Sequence, residues 1–160
     1  MTGSAKNRIY IATIAVLSLV IAAMVYKFIV AGSTQMGEDG RVAIILASSE
    51  RALMLSEMRG FVSGLQHITD ALSREDAKGV AQAAREMGTA GSHDVPLAMM
   101  ARLPLEFKTL ALGVHRGFDA LAVHAEADGK ATHTLNQLSG ILQKCVACHA
   151  SYEIKDTRIP

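Results

Sequence analysis

Between Ile9 and Tyr26 the chain carries no charged residue. Lys27 interrupts the run, and Phe28 to Ala31 continue it. That gives roughly 20 or more apolar residues, the length a helix needs to cross a bilayer. The run sets residues 1–31 apart as an N-terminal transmembrane anchor. Tyr10 and Tyr26 lie near its ends, where interfacial aromatic rings are favoured. Lys6 and Arg8 precede it, and Glu38 and Asp39 follow it. The positive-inside bias therefore puts the N-terminus in the cytoplasm and the rest of the chain outside. The competing reading is a cleaved signal peptide. Its apolar stretch would be long, and Val30-Ala31-Gly32 is a poor cleavage site. No cysteine directly follows the run, which argues against a lipoprotein. Anchor and signal peptide deliver the same domain to the same side of the membrane.

The chain has 160 residues, enough for one ordinary domain and an appendage. Half of them are hydrophobic, mostly Ala, Leu, Val, Ile and 8 Met, with 4 Phe, 3 Tyr and no Trp. That palette favours helices. Beyond residue 31 there are 13 basic and 15 acidic residues. No basic patch points to nucleic acid.

Residues 32–40 read as a polar linker, and four helical segments follow. In the first, about residues 41–72, Met54, Met58, Phe61, Leu65, Ile68 and Leu72 form a stripe of the kind packed helices share. Gly60 and Gly64 within it allow close approach of a neighbour or a cofactor. The second covers about residues 76–87, with Ser73 and Asp76 placed as a capping box. Residues 88–96 read as a loop. The third, about residues 104–127, starts at Pro104 and carries Phe107, Leu110, Val114, Phe118, Leu121 and Ala125 on one face. The fourth, about residues 130–152, carries Leu135, Leu138, Leu142, Cys145, His149 and Tyr152. No stretch alternates with period two, so no strand is expected. The expected fold class is all-α: a transmembrane helix followed by an antiparallel four-helix bundle over residues 41–155, then a tail over 156–160.

Cys145-Val146-Ala147-Cys148-His149 is the Cys-x-x-Cys-His pattern of c-type haem attachment. Each sulfur bonds one former vinyl group of the porphyrin, and His149 is then held beneath the iron as an axial ligand. A redox dithiol, a structural disulfide and half of a zinc site are the competing readings. A zinc site needs more ligands than this chain's 2 cysteines supply in one motif. A thioredoxin-type dithiol belongs to a strand-helix fold. The expected cofactor is one covalently bound haem c.

With four helices and this motif on the last of them, residues 41–155 resemble the cytochrome c′ family and its low-spin, methionine-ligated relatives. Asp128-Gly129 before the last helix and Tyr152 after the motif are also similar to the family. Glu153 departs from it, because members often have Arg directly after that aromatic. Lys155 is the nearest basic substitute. The N-terminal anchor is a second departure, since most members are soluble periplasmic proteins.

The resemblance implies that the first bundle helix covers the distal face of the haem. A methionine there makes a six-coordinate electron carrier, and an apolar side chain leaves a five-coordinate iron open to NO or CO. Met54 and Met58 are the candidate distal ligands. Arg59-Gly60 after Met58 is similar to the family's ligand neighbourhood. The alternative is that both methionines are packing, as expected for Met87, Met99 and Met100. His67 is a weaker ligand candidate. His93 falls in a loop, and His115, His124 and His133 are expected at surfaces or edges.

No hydrolase motif or phosphate loop is present, and enzyme activity is not expected. The expected function is single-electron transfer between respiratory or photosynthetic redox partners by a cytochrome on the periplasmic side of a bacterial inner membrane. Gas capture or sensing is one alternative. The other is an accessory subunit of a larger membrane redox complex, its anchor docked on other helices. Expected partners are redox proteins, lipid along residues 9–31, other membrane subunits, and a second copy, since the family often dimerises through its first two helices.

Overall fold

A computed structural model describes residues 3–91 and 95–157. The protein is mostly helical, with six α-helices among those residues. The first, α1 (Gly3–Val25), runs into a π-helical turn over Tyr26–Ala31. Together they make an apolar rod from Lys6 to Ala31, long and apolar enough to span a membrane. At about 1.5 Å per residue, 26 residues exceed the roughly 30 Å of hydrocarbon they would have to cross. Its side chains stand clear of the rest of the chain, Leu19 being 71% exposed. Lys27, the one charge inside the run, bends back so that its ammonium donates to the Gly32 carbonyl at 2.7 Å. A cation is favourable at a helix C-terminus.

The rod does not end in a free linker. Gly32 has φ +66°, a conformation that costs any other residue strain. A Cβ there would collide with the backbone of Arg102, Leu103 and Pro104. The Ser33 N–H donates to the Arg102 carbonyl at 2.7 Å. The Lys108 ammonium donates to the Ile29 carbonyl at 3.3 Å.

The expected absence of strands is corrected by a three-stranded sheet. β1 (Thr34–Met36) lies inside the expected linker, β2 (Val42–Leu46) replaces the expected start of the first bundle helix, and β3 (Tyr152–Asp156) follows the last helix. β2 is central, antiparallel to β1 with Thr34 opposite Ile44, and parallel to β3 with Val42 opposite Tyr152. Val-Ala-Ile-Ile-Leu is an apolar run rich in β-branched residues, as a buried strand requires. Ala43, Ile44 and Leu46 are fully buried.

Then come α2 (Ser48–Ser73), α3 (Ala77–Met87), a short α4 (Leu97–Met100), α5 (Leu105–Ala127) and α6 (Ala131–Ser151). The Glu50 carboxylate reaches back to accept the Ala47 N–H at 2.8 Å and fastens the start of α2. Asp76 alone caps α3, accepting from the Gly79 N–H at 2.9 Å. Ser73 instead closes α2, donating to the Asp70 carbonyl at 2.7 Å. The expected Ser73–Asp76 box is thus split between two helices.

α3 packs against α2 and α5, and α5 against α6. Gly64 lets Met87 lie flat on α2, since a Cβ would strike the Met87 side chain. One core gathers Ile68, Val80, Ala84, Phe118, Leu121 and Leu138 between these helices. A second gathers Ile44, Leu46, Met54, Met99, Leu103, Phe107 and Tyr152 between the sheet, α4 and the start of α5. The expected α5 face is buried at Phe107, Val114, Phe118, Leu121 and Ala125. The α6 face is rotated from the expected one. Leu135 and Leu142 are 50% and 39% exposed, and Thr134, Leu138 and Ile141 are buried.

Gly32→Ala is expected to lower unfolding free energy by about 2 kcal/mol, the scale of a strained backbone residue. Gly140→Ala, where a Cβ meets nothing within 4 Å, is expected to raise it by about 0.5–1 kcal/mol through helix propensity. Denaturant titration in detergent micelles reads both.

Candidate haem site

The middle of the α2 stripe is not covered by the chain itself. Met54 and Ile68 are buried, but Met58, Phe61 and Leu65 between them are only half-buried. They form one wall of an apolar cleft of about 410 Å³, within the usual range for ligand sites. Phe107, Leu110, Ala111 and Val114 of α5 form its back. Cys145, Cys148 and His149 of α6 line it as well. The structure thus brings together all five residues singled out in the sequence: Cys145, Cys148, His149, Met54 and Met58.

Helical spacing explains the α6 contribution. Residues three and four apart share a helix face, so Cys145 presents with Cys148 and with His149. Cys145 packs against the helical core and Cys148 against the sheet-side core. Both are free thiols of intermediate exposure. Burial pushes both thiols up from their ordinary pKa, and the neighbouring Cys145 adds to the rise at Cys148. A dithiol relay works through a lowered thiolate pKa, so this environment does not suit one. Among the described residues no three His, Cys, Asp or Glu side chains converge as metal ligands. Among those residues the pair therefore has no further donors to complete a four-coordinate zinc site.

The two methionines differ in their surroundings. Met54 is 9% exposed and belongs to the sheet-side core, whereas Met58 packs against that core while partly exposed. Met58 therefore has the freer thioether. His67 is exposed on α2 and does not line the cleft. His124 and His133 stack at 5.4 Å at the α5–α6 turn, where Asp128 accepts from His133 at 2.9 Å. His93 lies outside the described residues. Met87 and Met99 are buried packing residues, as expected.

Two cleft residues escaped sequence reasoning. His115, expected at a surface or edge, lines the cleft half-buried. Its ring sits 5.3 Å from Phe61, and Nδ1 lies 2.8 Å from the Met87 carbonyl. That carbonyl only accepts, so Nδ1 carries the proton. The second is Arg41. Lys155, the expected basic substitute, does not line the cleft and pairs with Glu153 at 3.3 Å. Arg41 lines it instead. Its guanidinium donates to the carbonyls of His149 (3.4 Å) and Tyr152 (3.3 Å) and pairs with Glu153 at 3.5 Å. A cation is thus fixed at the C-terminus of α6, where the helix dipole favours it. Tyr152 closes this end, its ring edge-on to Phe107 at 5.4 Å and its hydroxyl donating to Glu106 at 3.2 Å. Burial, reinforced by that carboxylate, raises its pKa.

Comparison of the chain with protein-family models, curated proteins and solved structures finds no match. The case for a cofactor therefore rests on the cleft. Its residues fit a haem: an apolar lining for the ring, two thiols on one helix face beside an imidazole, and thioethers from α2 in the same cleft.

In protein made without haem attachment, iodoacetamide modification of Cys145 and Cys148 is expected to accelerate through pH 8.5, the ordinary thiol pKa. It should still be rising where a free thiol has levelled off. A plateau near neutrality would instead mark an activated thiolate pair.

Proposed function

We propose that this protein is a membrane-tethered monohaem c-type cytochrome of the cytochrome c′ kind, passing single electrons on the periplasmic side of a bacterial membrane. In this reading α2, α3, α5 and α6 are its antiparallel four-helix bundle. The supporting observation is that one apolar cleft is lined by Cys145, Cys148 and His149 from α6 and by Met54 and Met58 from α2.

Cys145 and Cys148 would hold the haem through thioether bonds, and His149 and Met58 would supply ligands to its iron. Bound so, it supplies a centre that gains and loses one electron without a bond breaking. The chain's own residues do the rest. Phe61, Leu65 and Phe107 would keep water out of the cleft. Arg41 holds the end of the helix that carries His149, through the His149 and Tyr152 carbonyls. A methionine ligand such as Met58 would favour the reduced state and raise the potential. The anchor keeps the domain near membrane partners and raises their effective concentration.

Optical spectra of the haem-loaded protein, oxidised and reduced, with and without CO, test the reading. The expected result is a low-spin spectrum with a sulfur-to-iron band that Met58→Leu abolishes and Met54→Leu retains. The Met58→Leu protein is expected to have a lower reduction potential. A high-spin wild-type spectrum that converts fully with CO would overturn electron transfer in favour of gas binding.

A further inference from the structure

The face of the domain that meets the membrane helix is more apolar than an aqueous surface requires. The short helix α4 is pinned by Met99, which is 1% exposed in the sheet-side core. Leu97, two residues earlier, is turned outward and is 86% exposed. Val95 and Leu105, on either side of it in the sequence, are 42% and 44% exposed. The segment between Leu97 and Leu105 is tied to the end of the apolar rod. The Arg102 carbonyl takes the Ser33 N–H, and the Pro104 backbone lies against Gly32.

We infer that this face, with Leu97 and Leu105 at its centre, seats in the lipid surface around the exit of α1. The inference rests on the reading of residues 6–31 as a membrane span. If Ala31 lies at the edge of the hydrocarbon, Gly32 leaves no spacer to lift residues 95–105 into bulk water. Lipid is the occupant because the face is continuous with the lipid-covered rod. The charges beside it agree. The Lys108 ammonium donates to the Ile29 carbonyl in the rod's last turn and the Lys27 ammonium to the Gly32 carbonyl just past it, at the level where basic side chains snorkel to headgroups. An apolar face rimmed by cations is the composition of an interfacial contact.

The seat also sets the height of the cleft. Leu103 and Phe107 belong to the core that carries Met54 and Tyr152, and Phe107 and Tyr152 line the cleft. Lipid contact therefore holds the haem site at a fixed distance from the bilayer. A redox partner would have to present its own centre close to the membrane plane.

The chain contains no Trp, so a single introduced Trp is the only one. Full-length Leu97→Trp, Leu105→Trp, Val123→Trp and Ile14→Trp proteins are placed in vesicles of phosphatidylcholine and phosphatidylglycerol. Emission is quenched from inside with brominated acyl chains and from outside with iodide. Val123 is 58% exposed and lies about 27 Å along α5 from Leu105. Trp at 14, 97 and 105 is expected to lose most of its emission to brominated lipid and little to iodide, and Trp at 123 the reverse. Iodide quenching at 97 and 105, with 14 still quenched by lipid, would overturn the seat and leave the span standing. Iodide quenching at 14 as well would overturn both. Protection of 97 and 105 from both quenchers would mean a protein covers the face, which also overturns lipid as the occupant.

Discussion

Met58, Phe61 and Leu65 form an apolar surface that the chain leaves half-covered, and the rest of the structure is arranged around that exposure. Burying a side chain of this size is worth about 1.5–3 kcal/mol, so a face left open in a small domain implies something outside the chain to cover it. α3 and α5 cover the two ends of the stripe, at Ile68 and at Met54. Into the same cleft α6 presents two thiols and an imidazole at spacings that a helix turns to one side. A flat, apolar group bonded to both thiols would cover this surface.

The sheet gives the cleft its fixed end. β3 continues directly from α6 and pairs with β2, and β2 leads into α2. The two walls of the cleft are therefore joined by backbone hydrogen bonds rather than by a loop. Arg41, one residue before β2, reaches the last carbonyls of α6 and ties the same corner again. Because β1 begins two residues after Gly32, the corner is also the point where the apolar rod meets the domain. Cleft wall, sheet and rod form one connected unit.

Much of this was legible in the sequence where neighbours along the chain decide the outcome. The rod follows from a long apolar run broken only by Lys27, and the α5 face from a sustained helical period. On α6 both Ile141 and Leu142 are apolar, so period alone does not say which turns inward. Packing on α5 buries Ile141, and Leu142 is left exposed. The run 42–46 is short and apolar throughout, so its pattern fits a helix or a buried strand equally well. Its partner β3 lies more than 100 residues away, and pairing at that distance leaves no local mark. Contrary to the expectation that no stretch alternates, Tyr152 to Lys155 does, over four residues that also extend a helix. Arg41 was invisible for the same reason as β2. That Cys145, Cys148, His149, Met54 and Met58 share one cleft is legible because motif spacing and helical period are both local.

Mass spectrometry of the purified protein, intact and as the peptide containing residues 145–149, tests the central claim most directly. The account predicts one haem per chain, resistant to acid–acetone extraction and bonded through both Cys145 and Cys148. The haem should become extractable when both cysteines are replaced by alanine. Recovery of haem-free chain with both thiols free or joined as a disulfide, from cells that attach haem to other proteins, would contradict it.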